Sequence, residues 1–174
     1  MITTRFILAA MAVALFGLGA GAAQSAESVY KAVMNGEANT PDPIKTPATG
    51  ELLLTVSADG RSMRYIVTVN DILNVAAADL HVGPAGANGP LVVKLFPTQG
   101  AKAKKGPVSG VLAEGTIDAG DLTGPMAGGK FQDLIDEIKS GNAYCNVHTN
   151  DGADPPNSGP GDYRLGEIRG QILP

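Results

Sequence analysis

Two histidines and one cysteine set the chemistry this chain can offer. His81 lies in "ADLHVGPAG", and Cys145 and His148 share "NAYCNVHTND". Imidazole nitrogens suit copper or zinc, and two of them with a carboxylate can complete a site. There is no HxH, HExxH or CxxC pair, so a metal site requires the fold to bring His81 and His148 together. Hydrolytic catalysis has less to rest on, because no GxSxG elbow occurs and nothing singles out a nucleophile.

Both histidine segments read as strands, on which alternate side chains share a face. Ala143, Cys145 and Val147 then oppose Tyr144, Asn146 and His148. Cys145, among small apolar neighbours, is expected to be a core residue, and a buried thiol is chemically quiet. Asp79 and His81 share one face against Ala78, Leu80 and Val82, and Glu167, Arg169 and Gln171 share one against Ile168 and Ile172. If the polar rows are neighbours, Asp79, His81, Asn146, His148, Glu167 and Arg169 form one connected network. That network can fix strand register, or it can hold copper or zinc through His81 and His148. In the structural case, loss of Arg169 is expected to leave Glu167 without a charge partner.

The elements that must position these residues follow from patterning. "SVYKAVMNG" reads as a first strand. "ELLLTVSADGRSMRYIVTVN" alternates around Asp59-Gly60, the mark of a hairpin. "AADLHVG", "LVVKLF", "VSGVLAEGTI", "NAYCNVHT" and "LGEIRGQIL" are further strands. Phe131, Leu134, Ile135 and Ile138 fall at helical spacing, with Gly141 placed to end the helix. "PAGANGP" is read as a strand–turn–strand connection, since the lysine and hydroxyl of a P-loop are missing. The segment 151–163 reads as a proline-stiffened lid; its Asp151 and Asp154 do not match an EF-hand spacing. The expected fold is an all-β, antiparallel Greek-key sandwich with one short helix in a connection.

Composition narrows the partners. The opening 26 residues have the layout of a signal peptide: Arg5, an apolar run from Phe6 to Leu18, then small residues permitting cleavage after Ala22 or Ala26. Residues 27–174 are then a single domain, exported to the periplasm or beyond, with no stable membrane insertion once the leader is cut. Removing Arg5 leaves 12 basic against 17 acidic side chains, a net of −5. This disfavours nucleic acid and anionic membrane. The one basic cluster, Lys102, Lys104 and Lys105, lacks interleaved aromatics and is read as a soluble loop. A single cysteine leaves no internal disulfide, so the apolar core must hold the domain together.

Taken together, "ADLHVGPAGANGPLVVKLF", "SGNAYCNVHTNDG" and the terminal "GEIRGQIL" resemble the CHRD domain. That module is repeated in the extracellular antagonist chordin and occurs singly in exported bacterial proteins. The stretch "NGEANTPDPIKTPATGELLLTVSADG" is similar to the family's opening, so the likeness runs from about Ser28 to Pro174. The resemblance implies an immunoglobulin-like sandwich outside the cytoplasm, with His81, His148, Glu167 and Arg169 as marked positions. In chordin the role is growth-factor binding; the long 151–163 insertion puts transfer of that surface in doubt. The expected function is a non-enzymatic binding or cell-envelope structural module with an unknown protein or envelope ligand and no required cofactor. The alternative is a copper- or zinc-binding protein using His81 and His148.

Overall fold

In a computed structural model, residues 27–97 and 102–174 are described. The signal-peptide reading falls on residues 1–26 and lies outside them. Seven strands and one α-helix follow in the order β1 (Ser28–Asn35), β2 (Thr49–Val56), β3 (Ser62–Val82), β4 (Leu91–Phe96), β5 (Lys104–Asp118), α1 (Phe131–Lys139), β6 (Ala143–Thr149) and β7 (Ile168–Gln171). All strand pairings are antiparallel. The all-β, antiparallel fold with one helix in a connection is therefore as the patterning predicts.

The sheet differs from two separate layers. β1 pairs β2, β2 pairs β3, β3 pairs β6, β6 pairs β7, and β7 returns to β1, so five strands close into a barrel. The closing seam is short: Asn35 faces Arg169, and Lys31 and Leu173 exchange backbone hydrogen bonds of 2.8 and 2.9 Å. β4 and β5 pair with the long strand β3 as well.

β3 makes this closure possible. The sequence predicts two strands in this region, yet all 21 residues from Ser62 to Val82 form one. Its first half pairs β2 and its second half pairs β6. Between the halves the register slips, and Asp71 and Asn74 take left-handed φ values of 49° and 52°. Asp and Asn tolerate that region better than other side-chain-bearing residues. Two bulges thus bend the strand without ending it, because a bulge sharpens twist and redirects the chain.

The alternation read from the sequence becomes the core. Leu52, Leu54, Val56, Met63, Tyr65, Val67 and Val69 are buried, as are Ala78, Leu80, Ala143, Cys145, Val147 and Ile168. The apolar face of α1 (Phe131, Leu134, Ile135, Ile138) packs into the same core. Gly141, with φ of +71°, ends the helix where the Asn142 N–H donates to the Glu137 carbonyl. The opposite faces of β3, β6 and β7 are left to polar residues.

Candidate metal centre

β6 lies between β3 and β7, so each of its outward residues meets one from either neighbour. Asp79 pairs with Asn146, and Asn146 with Arg169; His81 pairs with Tyr144, and Tyr144 with Gln171. His148 stands opposite Ala77, one step further along the same face. The three hydrophilic rows therefore meet. Asp79 is 5% exposed and Asn146 6% exposed, so the face is polar but largely shut off from solvent.

Each histidine ring is held by a backbone carbonyl. His81 Nδ1 lies 3.0 Å from the Gly89 carbonyl oxygen, and His148 Nδ1 lies 3.1 Å from that of Arg164. A carbonyl only accepts, so Nδ1 carries the proton in both rings and Nε2 keeps its lone pair. Neither buried Nε2 has a hydrogen-bond partner among the described residues. His148 Nε2 approaches Asp79 Oδ2 at 3.4 Å, and one ligand atom each from Asp79, His81 and His148 all lie within 4.8 Å of one another. Bonds of ~2.0–2.1 Å around a tetrahedral ion place neighbouring ligands about 3.3 Å apart. The Asp79–His148 separation already matches that edge.

Electrostatics favour the ligating forms of the imidazoles. Burial lowers the pKa of His81; the Gly89 carbonyl opposes this and the nearby Arg169 charge adds to it. Burial likewise lowers that of His148, opposed by the Arg164 carbonyl and reinforced by His81. Both rings are thus neutral at neutral pH, the state that binds a metal. Burial pushes the Asp79 carboxyl up to about 6, with Lys94 across the strand pulling it back.

The surroundings lock the rings from several sides. Tyr144 on the middle strand stacks with His81, at 5.0 Å between centroids and 11° between planes, and the Arg169 guanidinium carbon lies 3.6 Å from the Tyr144 ring centroid. Arg169 also donates to the carbonyls of Ala87 (2.8 Å) and Pro84 (3.4 Å) and to Asn88 Oδ1 (3.0 Å), clasping the 83–90 turn over the strands. Gly89 is a close-approach position: a Cβ there would sit 1.7 Å from the Val82 carbonyl oxygen. On the other side, Asn146 donates to the Leu165 carbonyl at 3.1 Å, so the end of the 151–166 segment covers His148 and Asn146.

Several expectations need correction. Asp79, His81 and His148 converge, with Asn146 beside them, but Glu167 does not join them. Its buried carboxylate accepts from Thr46 Oγ1, from Thr149 Oγ1 at 2.7 Å and from the Gly161 N–H at 2.8 Å, tying the β1–β2 loop and the late loop to β6. No ion pair joins Glu167 and Arg169 among the described residues, so Arg169 is not the charge partner of Glu167. The polar residues form two networks because β7 is entered at Glu167, where the chain leaves the loop and the side chain turns to loop donors. Asp151 and Asp154 serve their own loop, bonding the Ala153 N–H and Arg164. Among the described residues only Asp79, His81 and His148 form a converging ligand group. Cys145 is buried, and burial raises its thiol pKa strongly.

Asp79 joins the two histidines in the converging group, whereas the sequence reading names only His81 and His148 as candidate ligands and places Asp79 in the wider polar network. Spacing contains the signal: Asp79 and His81 are two apart on one strand. Tyr144 was on the predicted polar face as well, but its role depends on Arg169 from a distant segment. A larger cleft of about 1020 Å³ runs along the 36–49 loop, but among the described residues it holds no orphaned buried polar atom.

In comparisons with known proteins, a family model described as the CHRD domain matches residues 30–156. The match includes Asp79, His81, Asn146 and His148, and stops before Glu167 and Arg169. No curated protein and no solved structure matches the chain.

Proposed function

Given that the chain belongs to the CHRD domain family, we propose that it is an exported, non-enzymatic module that binds a divalent transition-metal ion through His81 Nε2, His148 Nε2 and the Asp79 carboxylate. The observation that carries this reading is the pair of buried Nε2 atoms, each without a hydrogen-bond partner among the described residues, beside a buried carboxylate. Buried polar atoms are nearly always paired, and an ion is one of the few explanations for two orphans converging on an acid. The Nδ1–carbonyl contacts are the outer-shell bonds that orient metal-ligating histidines. Two imidazoles and one carboxylate suit zinc or copper. Outside the centre, the Arg169 clasp and the Glu167 network are structural.

The finer fold reading is of the same kind. β3 divides the whole sheet into a β1–β2–β5 side and a β4–β6–β7 side, and we read these as the two halves of an immunoglobulin-like sandwich sharing one bent strand. Export rests on the leader-like opening; among the described residues no helix is long and apolar enough to cross a membrane.

Equilibrium dialysis of the purified, chelator-stripped protein against Zn²⁺ and Cu²⁺ tests the function. One ion per chain is expected, lost in His81→Ala and in His148→Ala while Cys145→Ala keeps it. No uptake, or uptake indifferent to both histidines, refutes the proposal.

A further inference from the structure

Resting on the metal reading above, we infer that the bound ion keeps coordination positions open toward one side of the site and that these take a small anion, a carboxylate or inorganic anion, drawn in by Lys94. Among the described residues, three histidine and carboxylate donors converge. Zinc takes at least four ligands, and copper(II) four or more. At least one position therefore falls to an outside ligand.

The structure assigns the side from which it arrives. On the His81 side the Gly89 carbonyl holds Nδ1 and the Tyr144 ring covers one face of the imidazole. The Asp79–His148 edge instead opens into a cavity of about 260 Å³ whose wall includes Ala76, Ala77, Asn150 and Arg164. The two alanines leave the room that larger side chains on β3 would fill.

Charge selects the kind of ligand. A divalent ion held by this group meets a single carboxylate. Lys94 stands directly across from Asp79 on β4, exposed, and forms no ion pair among the described residues. As direct cross-strand partners, Lys94 and Asp79 project from the same face of the sheet. On the other side Arg169 lies over the Tyr144 ring that stacks on His81. Arg164 lines the cavity but is partly spent, with Asp154 at 3.2 Å and Asp162 at 4.0 Å; Lys94, outside the cavity wall but across from Asp79, is the neighbouring cation with no ion pair among the described residues. One carboxylate leaves the loaded centre net positive, and a monoanion on the ion neutralises it. A partly desolvated cationic cleft focuses such ligands.

The test uses the purified full chain loaded with Co²⁺, whose visible ligand-field bands report coordination directly, and azide as the probe anion. Saturable change of those bands on azide addition is expected. Lys94→Gln should retain the cobalt spectrum and weaken azide binding about three- to fivefold at low salt, with the difference shrinking as salt rises. A cobalt spectrum that ignores azide overturns the inference while leaving metal binding intact. Equal azide affinity in Lys94→Gln overturns the role given to Lys94. Failure to obtain any cobalt spectrum removes the metal reading and this inference with it.

Discussion

His81 and His148 stand on neighbouring strands with ring centroids 6.2 Å apart, each donating its Nδ1 proton to a carbonyl from a different loop. They are not cross-strand partners: His81 faces Tyr144 and His148 faces Ala77. The diagonal offset leaves Asp79 between them in register, two residues before His81 and opposite Asn146. A strand pair with one acid and two imidazoles on the same face can therefore converge on one point without bending the backbone.

The Gly89 carbonyl is expected to matter to metal affinity although it touches no ion. It accepts from His81 Nδ1, and the Gly89 N–H donates to Tyr144 Oη at 3.0 Å. Gly89→Ala forces a Cβ against the Val82 carbonyl and displaces the turn. Losing an outer-shell acceptor typically costs 10–100-fold in affinity, so Zn²⁺ binding should weaken by about that factor. Competition with a chromophoric chelator measures it, and unaltered affinity would show that ring orientation does not depend on this turn.

Arg169 and Glu167 should act independently. Arg169→Ala leaves the carbonyls of Pro84 and Ala87 and Asn88 Oδ1 without their donor, and should cost about 3 kcal/mol, or roughly 6–12 °C in Tm. Glu167→Gln turns an amide toward donors and should cost about 2 kcal/mol. Residues without shared partners add to within about 0.5 kcal/mol. Urea unfolding of the two single variants and the double variant checks this; a coupling above ~1 kcal/mol would mean that the two charges meet after all.

A third prediction concerns pH in metal-free protein. Burial raises the Asp79 carboxyl from the ordinary carboxylate range to about 6 in the folded protein. Its folded state binds the proton first, so its contribution to stability is present at acid pH and is lost as pH rises through about 6. The histidines shift the opposite way, so the raw profile of the protein mixes signs. Subtracting isolates Asp79: the stability of Asp79→Asn relative to wild type should rise by about 2–3 kcal/mol between pH 4 and pH 7. Denaturant titrations in chelator at several pH values measure the difference, and a flat difference would mean that Asp79 is solvated in solution.

Much of this architecture was legible in the residues. Alternation placed Leu52, Leu54, Met63, Tyr65 and Val67 in the core, helical spacing found α1, and period two put Asp79 with His81 and Asn146 with His148 on single faces. What alternation does not contain is which strand lies beside which. The barrel closure depends on β3 running through Asp71 and Asn74, which lie in the stretch that patterning leaves between two separate strands. The split between Glu167 and Arg169 was hidden for a related reason. They share a face by counting, yet Glu167 sits where the loop joins β7, and its partners Thr46 and Gly161 come from loops that patterning leaves blank.

The most direct measurement is X-ray absorption fine structure on the protein loaded with one equivalent of Zn²⁺, paired with the His81→Ala, His148→Ala and Asp79→Ala variants. Two imidazole nitrogens and an oxygen at ~2.0–2.2 Å, with one imidazole lost in each histidine variant and the carboxylate signature lost in the third, is the result expected. A spectrum of oxygen ligands alone, or one with sulfur from Cys145, would contradict a centre built from these three residues.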